Sequence, residues 1–294
     1  MKKILFVVLF ASSASLAGEI GSSPVDWEKA ERICEGVRFV KRDYAEPRLM
    51  KTYLMRIDLK TSGLRFTGTP RAKGWGNPMP DYPKGIIRTE RETTAEFMTR
   101  ERARGRDIIV AFNSDGWTPW CPPWNHRYGD PEGLLISDGV VVSDWHRKRN
   151  ALFVAWDDGR CELTPNIPTN LYCRAQVAHH GVEIIMTNGV HCSKHGREQL
   201  HPRTAYGLSA DGRFMFVLAV DGRQPGWSLG ADYRDLSGML RDAGASEAIN
   251  MDGGGSTTMV YWDGTKPVAV NRHDPNRSHW RRNGANLGIY IEWK

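Results

Sequence analysis

The chain has 294 residues, 11 of them Trp, five Cys and a formal charge of +6. That length can bury a sizeable core as one large domain or two small ones. The basic residues are spread out, densest at Arg100 to Arg106 and at Arg281-Arg282; they read as solvated faces, which argues against a nucleic-acid partner but suits an anionic substrate.

In chain order, Lys2 and Lys3 precede an unbroken apolar run from Ile4 to Phe10, and Ser15 and Ala17 follow with small-x-small spacing. The run is shorter than the ~20 residues a bilayer span requires, so residues 1–17 are expected to be a cleaved signal peptide. No later stretch is long and apolar enough to span, which predicts a periplasmic or secreted chain with no stable membrane insertion. Residues 18–47 read as an N-terminal tether and residues 48–294 as one catalytic domain.

Tyr53 to Leu59 alternates as a strand, and the Gly- and Pro-rich residues 68–87 read as a long loop. Thr93 to Ala103 is expected to be a Thr-capped helix ended by Gly105. Asp107 to Phe112 follows as a buried strand. Asp138-Gly139 and Asp158-Gly159 each sit between apolar runs and predict two hairpins. Arg213 to Val220 reads as a strand ending at Asp221-Gly222. Asp232 to Ala243 has an apolar stripe of Tyr233, Leu236, Met239, Leu240 and Ala243, and predicts a helix stopped by Gly244. Ala248 to Met251, Met259 to Trp262 and Leu287 to Glu292 complete the strands. The pattern predicts an α+β fold: a single domain with a mixed, largely antiparallel sheet flanked by a few helices.

Cys34, Cys121, Cys161, Cys173 and Cys192 are odd in number, and only Cys161 and Cys173 lie close enough in sequence to suggest a bridge. Many Trp stand beside Gly or Pro, as in Gly116-Trp117-Thr118-Pro119-Trp120 and Gly226-Trp227. Such loop Trp could stack on sugars, although each alone reads as a core residue.

The strongest motif is Asn250-Met251-Asp252-Gly253-Gly254-Gly255-Ser256-Thr257. Consecutive Gly permits positive φ and a backbone anion nest, with hydroxyl donors from Ser256, Thr257 and Thr258. Asp252 would present its carboxylate to the ligand at the end of a strand. An echo precedes it: helix, Gly105, strand, Asn113-Ser114-Asp115-Gly116. The repetition suggests that both strand ends contribute to one site. Pro202-Arg203-Thr204-Ala205 adds an Arg able to fork onto phosphate or carboxylate, and Asp221-Gly222-Arg223 a third carboxylate. Asp115, Asp221 and Asp252 are also hard oxygen donors, so Ca²⁺ or Mg²⁺ is a competing reading; otherwise no cofactor is expected. His179-His180, His191, His195 and His201 could make a zinc site but read better as a polar loop edging the cleft.

These motifs resemble the phosphodiester glycosidase family, in the branch labelled exopolysaccharide-related among bacteria. The resemblance is carried by Pro202 to Ala205, Phe216 to Gly222, the helix Asp232 to Ala243, Ala248 to Thr257, and the upstream strand Ile109 to Trp117. Ser114 stands where the family usually has Gly, and Gly116-Trp117 where it has two aromatics. The resemblance implies hydrolysis of a sugar-1-phosphodiester, N-acetylglucosamine-like, or of a related anomeric linkage in a surface or extracellular glycan. The expected catalytic residues are Asp252, Asp115, Asp221 and Arg203. Asn113, Thr204, Asn250, Gly253, Gly254, Gly255, Ser256 and Thr257 are expected to bind substrate. The partner is then a glycan or sugar-phosphate. Two alternatives remain: a non-catalytic glycan-binding or polysaccharide-assembly protein, and a metal-dependent phosphodiesterase that breaks P–O.

Overall fold

A computed structural model describes residues 23–144, 150–195, 199–273 and 280–292. The expected signal peptide, 1–17, lies outside the described residues. Strands dominate, and every strand pairing among the described residues is antiparallel.

The largest sheet has eight strands, and at its centre Phe214–Val220, Arg203–Leu208 and Glu247–Asn250 lie side by side. A five-stranded sheet centres on Ile108–Asn113, between Met259–Trp262 and Asn286–Ile291. A second five-stranded sheet is built around Leu134–Ser137, Ala175–His180 and Leu152–Trp156.

The inner faces of all three sheets share one core. Met55, Ile57 and Val217 come from the first, Phe66, Val110, Phe112 and Leu287 from the second, and Phe153 and Val177 from the third. Phe153 and Phe112 meet the Tyr206 ring edge-on, with centroids 5.5 and 6.3 Å away. Truncating a buried Phe of this kind to Ala removes about 3–5 kcal/mol.

The two predicted helices form where their caps lie. Helix α1 (Thr94–Ala103) starts with a capping box between Thr93 and Glu96 and packs Phe97 and Met98 on the outer face of the five-stranded sheet with Ile108. Helix α2 (Tyr233–Ala243) starts with the same device between Asp232 and Asp235, ends at left-handed Gly244, and covers the outer face of the eight-stranded sheet. Each box satisfies amide groups that the first helical turn cannot bond internally.

The tether expectation is corrected. Glu31–Cys34 is an edge strand of the large sheet, Val37–Tyr44 pairs inside it with Met50–Asp58, and Val37 is buried. Trp27 packs on Phe216, and its indole donates to the Ala243 carbonyl at 2.8 Å, tying this segment to the end of α2. Arg38 and Arg42 alternate with Val37, Phe39 and Lys41 along this strand, and the interleaved charges hide its apolar face in the sequence. All five Cys are free, so Cys161 and Cys173 do not bridge. No helix among the described residues is long and apolar enough to cross a membrane.

Candidate active site

The site forms where the large sheet and the five-stranded sheet meet at their strand ends. The Asn113 amide joins them: its Nδ2 donates to the Asp252 carbonyl at 2.8 Å, and its Oδ1 accepts from Thr204 Oγ1 at 2.7 Å and the Thr258 amide at 2.9 Å. The Asp252 amide returns a bond to the Ser114 carbonyl at 2.9 Å. The echoed Asn-x-Asp-Gly segments are thus stitched together.

Their side chains play different parts. Asn113 and Thr204, expected to bind substrate, are buried and hydrogen-bonded in this seam, and neither is in the cavity lining. Asp115 is buried too. Its carboxylate accepts from His179 Nδ1 at 2.6 Å and the His180 amide at 2.7 Å, so it braces the strand behind the cavity wall. Asp221 takes Trp227 Nε1 at 2.8 Å, the Arg272 amide at 2.9 Å and the Tyr53 hydroxyl at 3.0 Å, and lies outside the cavity lining. Burial raises its pKa, and those donors pull it back down. Both Asp residues are clamped by protein donors, and neither is in the cavity lining, unlike Asp252. With both saturated by protein donors, Asp115, Asp221 and Asp252 do not converge on a cation site. Among the described residues no group of three His, Cys, Asp or Glu is placed to hold a metal ion.

The cavity of about 430 Å³ is lined by Asp252 and Gly253 to Gly255, with Arg203, Arg223, Arg281, His201, Glu132, Tyr233, Asn250, Trp117 and Trp120 around them. One oxygen of Asp252 accepts from the Gly253 amide at 2.9 Å, while the other is buried without a hydrogen-bond partner. Burial raises this carboxyl from 3.8 to about 6, against the lowering pull of Ser256 and the Arg281 charge.

Most amides of the expected anion nest are already bonded within the protein. The amides of Gly253, Gly254, Ser256 and Thr257 bond to Asp252 Oδ1, Pro202 O, Gly253 O and Gly254 O. The turn closes into a short 3-10 helix, Gly254–Ser256, and uses its own donors. Ser256 and Thr257 are buried outside the cavity lining. The glycines serve otherwise. Gly254 has φ +61°, and a Cβ on Gly255 would meet Arg281 Nη2 at 2.7 Å. The motif therefore makes room for guanidinium groups instead of replacing them.

Those groups supply the positive charge. Arg203 is buried beside the Tyr233 ring at 4.7 Å; its Nε and Nη2 donate to the Ala231 and Gln199 carbonyls, and it has no carboxylate partner among the described residues. Burial lowers its pKa, with Tyr233 opposing. Arg223 holds a left-handed backbone at φ 58° and donates from Nε to His201 Nδ1 at 3.3 Å. A non-Gly residue with positive φ stores strain, a frequent mark of a ligand site. Burial, Arg223 and Arg203 lower the His201 pKa, so the imidazole is neutral at pH 7. Asn250 donates to the Met251 carbonyl at 2.8 Å and leaves its Oδ1 free at the cavity edge.

Glu132 and Arg281 escape the sequence reading. Glu132 sits in a plain Pro-Glu-Gly turn, drawn in when its amide donates to the Gly116 carbonyl at 2.9 Å. Arg281 belongs to the Arg281-Arg282 pair expected to be a solvated face. The histidines do not form a zinc site: His179 pairs with Asp115, and His191 bonds Ser237 Oγ at 2.8 Å.

Comparison with known proteins identifies the family and the fold. The chain matches the model of the phosphodiester glycosidase family over residues 107–290. Its fold resembles the catalytic domain of zebrafish N-acetylglucosamine-1-phosphodiester alpha-N-acetylglucosaminidase, auto-inhibited by its pro-peptide, with TM-score 0.61 and 18% identity over 92% of this chain and 87% of that one. An exported-class protein of Burkholderia pseudomallei K96243 superposes with TM-score 0.56 and 14% identity, covering 82% of this chain and 74% of the other. A hypothetical protein from Synechocystis gives TM-score 0.55 and 11% identity over 88% of this chain and 62% of its own. No curated protein matches in sequence. The family match takes in the seam, Glu132, the arginines and the glycine turn, and the chain belongs to the phosphodiester glycosidase family.

Proposed function

We propose that this protein is an exported hydrolase that cleaves a sugar-1-phosphodiester at the anomeric carbon. The observation that carries the reading is one cavity holding Asp252 and Glu132 among Arg203, Arg223 and Arg281. Three guanidiniums lining one cavity with two carboxylates suit a phosphodiester monoanion. The leader sequence supports delivery to the periplasm or beyond, where surface glycans lie.

In this reading the arginines seat the phosphate and hold the charge that builds on it as the C–O bond breaks. The bonding pair leaves with the phosphate oxygen. That leaving group is a stabilised anion with a second pKa of ~6, so it needs little help from an acid. Water supplies the oxygen that ends on the sugar carbon, and its proton passes to a carboxylate. Asp252, with a pKa of about 6, is ionised at neutral pH and serves as nucleophile or base beside the anomeric carbon. Glu132 is the second carboxylate that such chemistry uses. The free Asn250 Oδ1 is an acceptor for a sugar hydroxyl.

The zebrafish enzyme's name makes N-acetylglucosamine the first sugar to try. A chromogenic N-acetylglucosamine-1-phosphodiester should give free sugar and a phosphate monoester. Sugar-1-phosphate as product would instead mark P–O cleavage. Saturation by the protein's own donors at Asp115 and Asp221 favours a reaction without a metal, so activity should survive dialysis against EDTA.

A further inference from the structure

We propose that Trp120 is a positioning residue that holds Arg281 at the anion site, as the outer ring of a column formed by Arg91, Trp117, Trp120 and Arg281. This proposal rests on the anion site described above. Arg91 lies over the Trp117 ring at 4.0 Å, Trp117 stacks on Trp120 with centroids 4.8 Å apart and planes 24° apart, and Arg281 lies over the Trp120 ring at 4.6 Å. Rings stacked at that spacing admit no guanidinium between them, so Arg281 takes the other face of Trp120. With both faces covered, Trp120 does not offer the sugar-stacking surface that loop Trp suggest.

The column is anchored at its inner end. Arg91 is buried and donates from Nη1 to the His126 carbonyl at 2.8 Å and from Nε to the Arg282 carbonyl at 3.1 Å. Arg282 Nε returns a bond to the Arg91 carbonyl at 3.0 Å. Trp117 is seated against Gly284, where a Cβ would meet its Cγ at 2.5 Å. One residue, Arg91, thus fixes the main chain next to Arg281 and backs the aromatic pair that fixes its side chain. At the outer end the guanidinium lies on Gly255, beside Asp252. Trp120 is 43% exposed, a costly place for an indole that served packing alone.

Calorimetric titration of the full chain with inorganic phosphate tests this. Trp120→Leu and Arg281→Ala should each weaken phosphate binding roughly tenfold, as expected for a cation–π contact and a charge-assisted contact. Trp120→Phe, which keeps an aromatic face, should retain most of the affinity. The double variant Trp120→Leu/Arg281→Ala should bind no more weakly than Arg281→Ala alone, because Trp120 acts through Arg281. In Trp120→Leu the acid limb of kcat/KM should also move to higher pH, as Asp252 loses a neighbouring cation. Additive losses in the double variant, or unchanged phosphate affinity in Trp120→Leu, overturn the proposal. So does a Trp120→Phe variant as weak as Trp120→Leu. Phosphate binding that follows this pattern without sugar release would leave the column standing and remove the glycosidase reading. A wild-type chain that binds no phosphate would remove both.

Discussion

Asp252→Asn should stabilise the fold at neutral pH while abolishing turnover. Protonation of this carboxyl is linked to folding. The Asp252 carboxyl titrates at about 6 in the fold against 3.8 when free, because burial disfavours its charge. A carboxyl with a raised folded pKa contributes stability below its unfolded pKa and loses it as pH rises through the folded one. The loss, converted at about 1.4 kcal/mol per tenfold change in proton affinity, reaches about 3 kcal/mol by pH 7.5. Asn keeps the Oδ1 that accepts from the Gly253 amide, so the turn retains its bond. At pH 7.5 the variant should therefore unfold later, by roughly 5 °C for a chain of this size. At pH 4, where the folded wild-type carboxyl is already protonated, most of that gain should vanish. Thermal unfolding of both proteins at the two pH values, without ligand, reads the effect. An equal shift at both pH values, or destabilisation at pH 7.5, would refute the placement of Asp252 as a buried, strained carboxylate.

Further expectations follow from the same geometry. Wild-type kcat/KM should fall as pH drops through about 6, where Asp252 takes up a proton, and a flat acid limb would remove its role as the working carboxylate. Arg203→Ala should weaken inorganic phosphate binding by about 10- to 100-fold, the worth of a charge-assisted contact; unchanged affinity in a titration would separate Arg203 from the anion. Glu132→Gln should lower kcat by about 10²- to 10⁴-fold if it serves as the second carboxylate, with melting temperature as the folding control. Asp221→Asn points an amide at groups that already donate, and should cost about 1–3 kcal/mol in denaturant unfolding while the folded enzyme keeps its kcat. A large loss of kcat at unchanged stability would restore Asp221 to the reaction.

The local signals in the sequence carry far because they are local. Thr93 and Asp232 cap helices within three residues of themselves, and left-handed Asp138 and Gly139 close the predicted hairpin turn. The seam between the echoed motifs is also visible, since Asn at a strand end followed by Asp-Gly is unusual enough to notice twice. What each side chain faces is not visible. Asp115 and Asp252 occupy the same place in the echo, yet one is buried on His179 and the other lines the cavity. The sheets decide this, because the third sheet stands behind Ile108–Asn113 and supplies the His. Glu132 and Arg281 line the cavity with no periodicity or spacing in the sequence to mark them. The triple Gly suggested a backbone anion nest, but the amides of Gly253, Gly254, Ser256 and Thr257 are bonded within the protein, and guanidiniums line the cavity beside them. The first two strands of the large sheet are obscured for a different reason: half their residues are charged and interrupt the apolar pattern.

The central claim is that the bond broken is the one between the anomeric carbon and oxygen. Hydrolysis of an N-acetylglucosamine-1-phosphodiester in ¹⁸O-water, followed by mass spectrometry of both products, tests it most directly. The account predicts one ¹⁸O in the released sugar and none in the phosphate monoester. An ¹⁸O in the phosphate would contradict it.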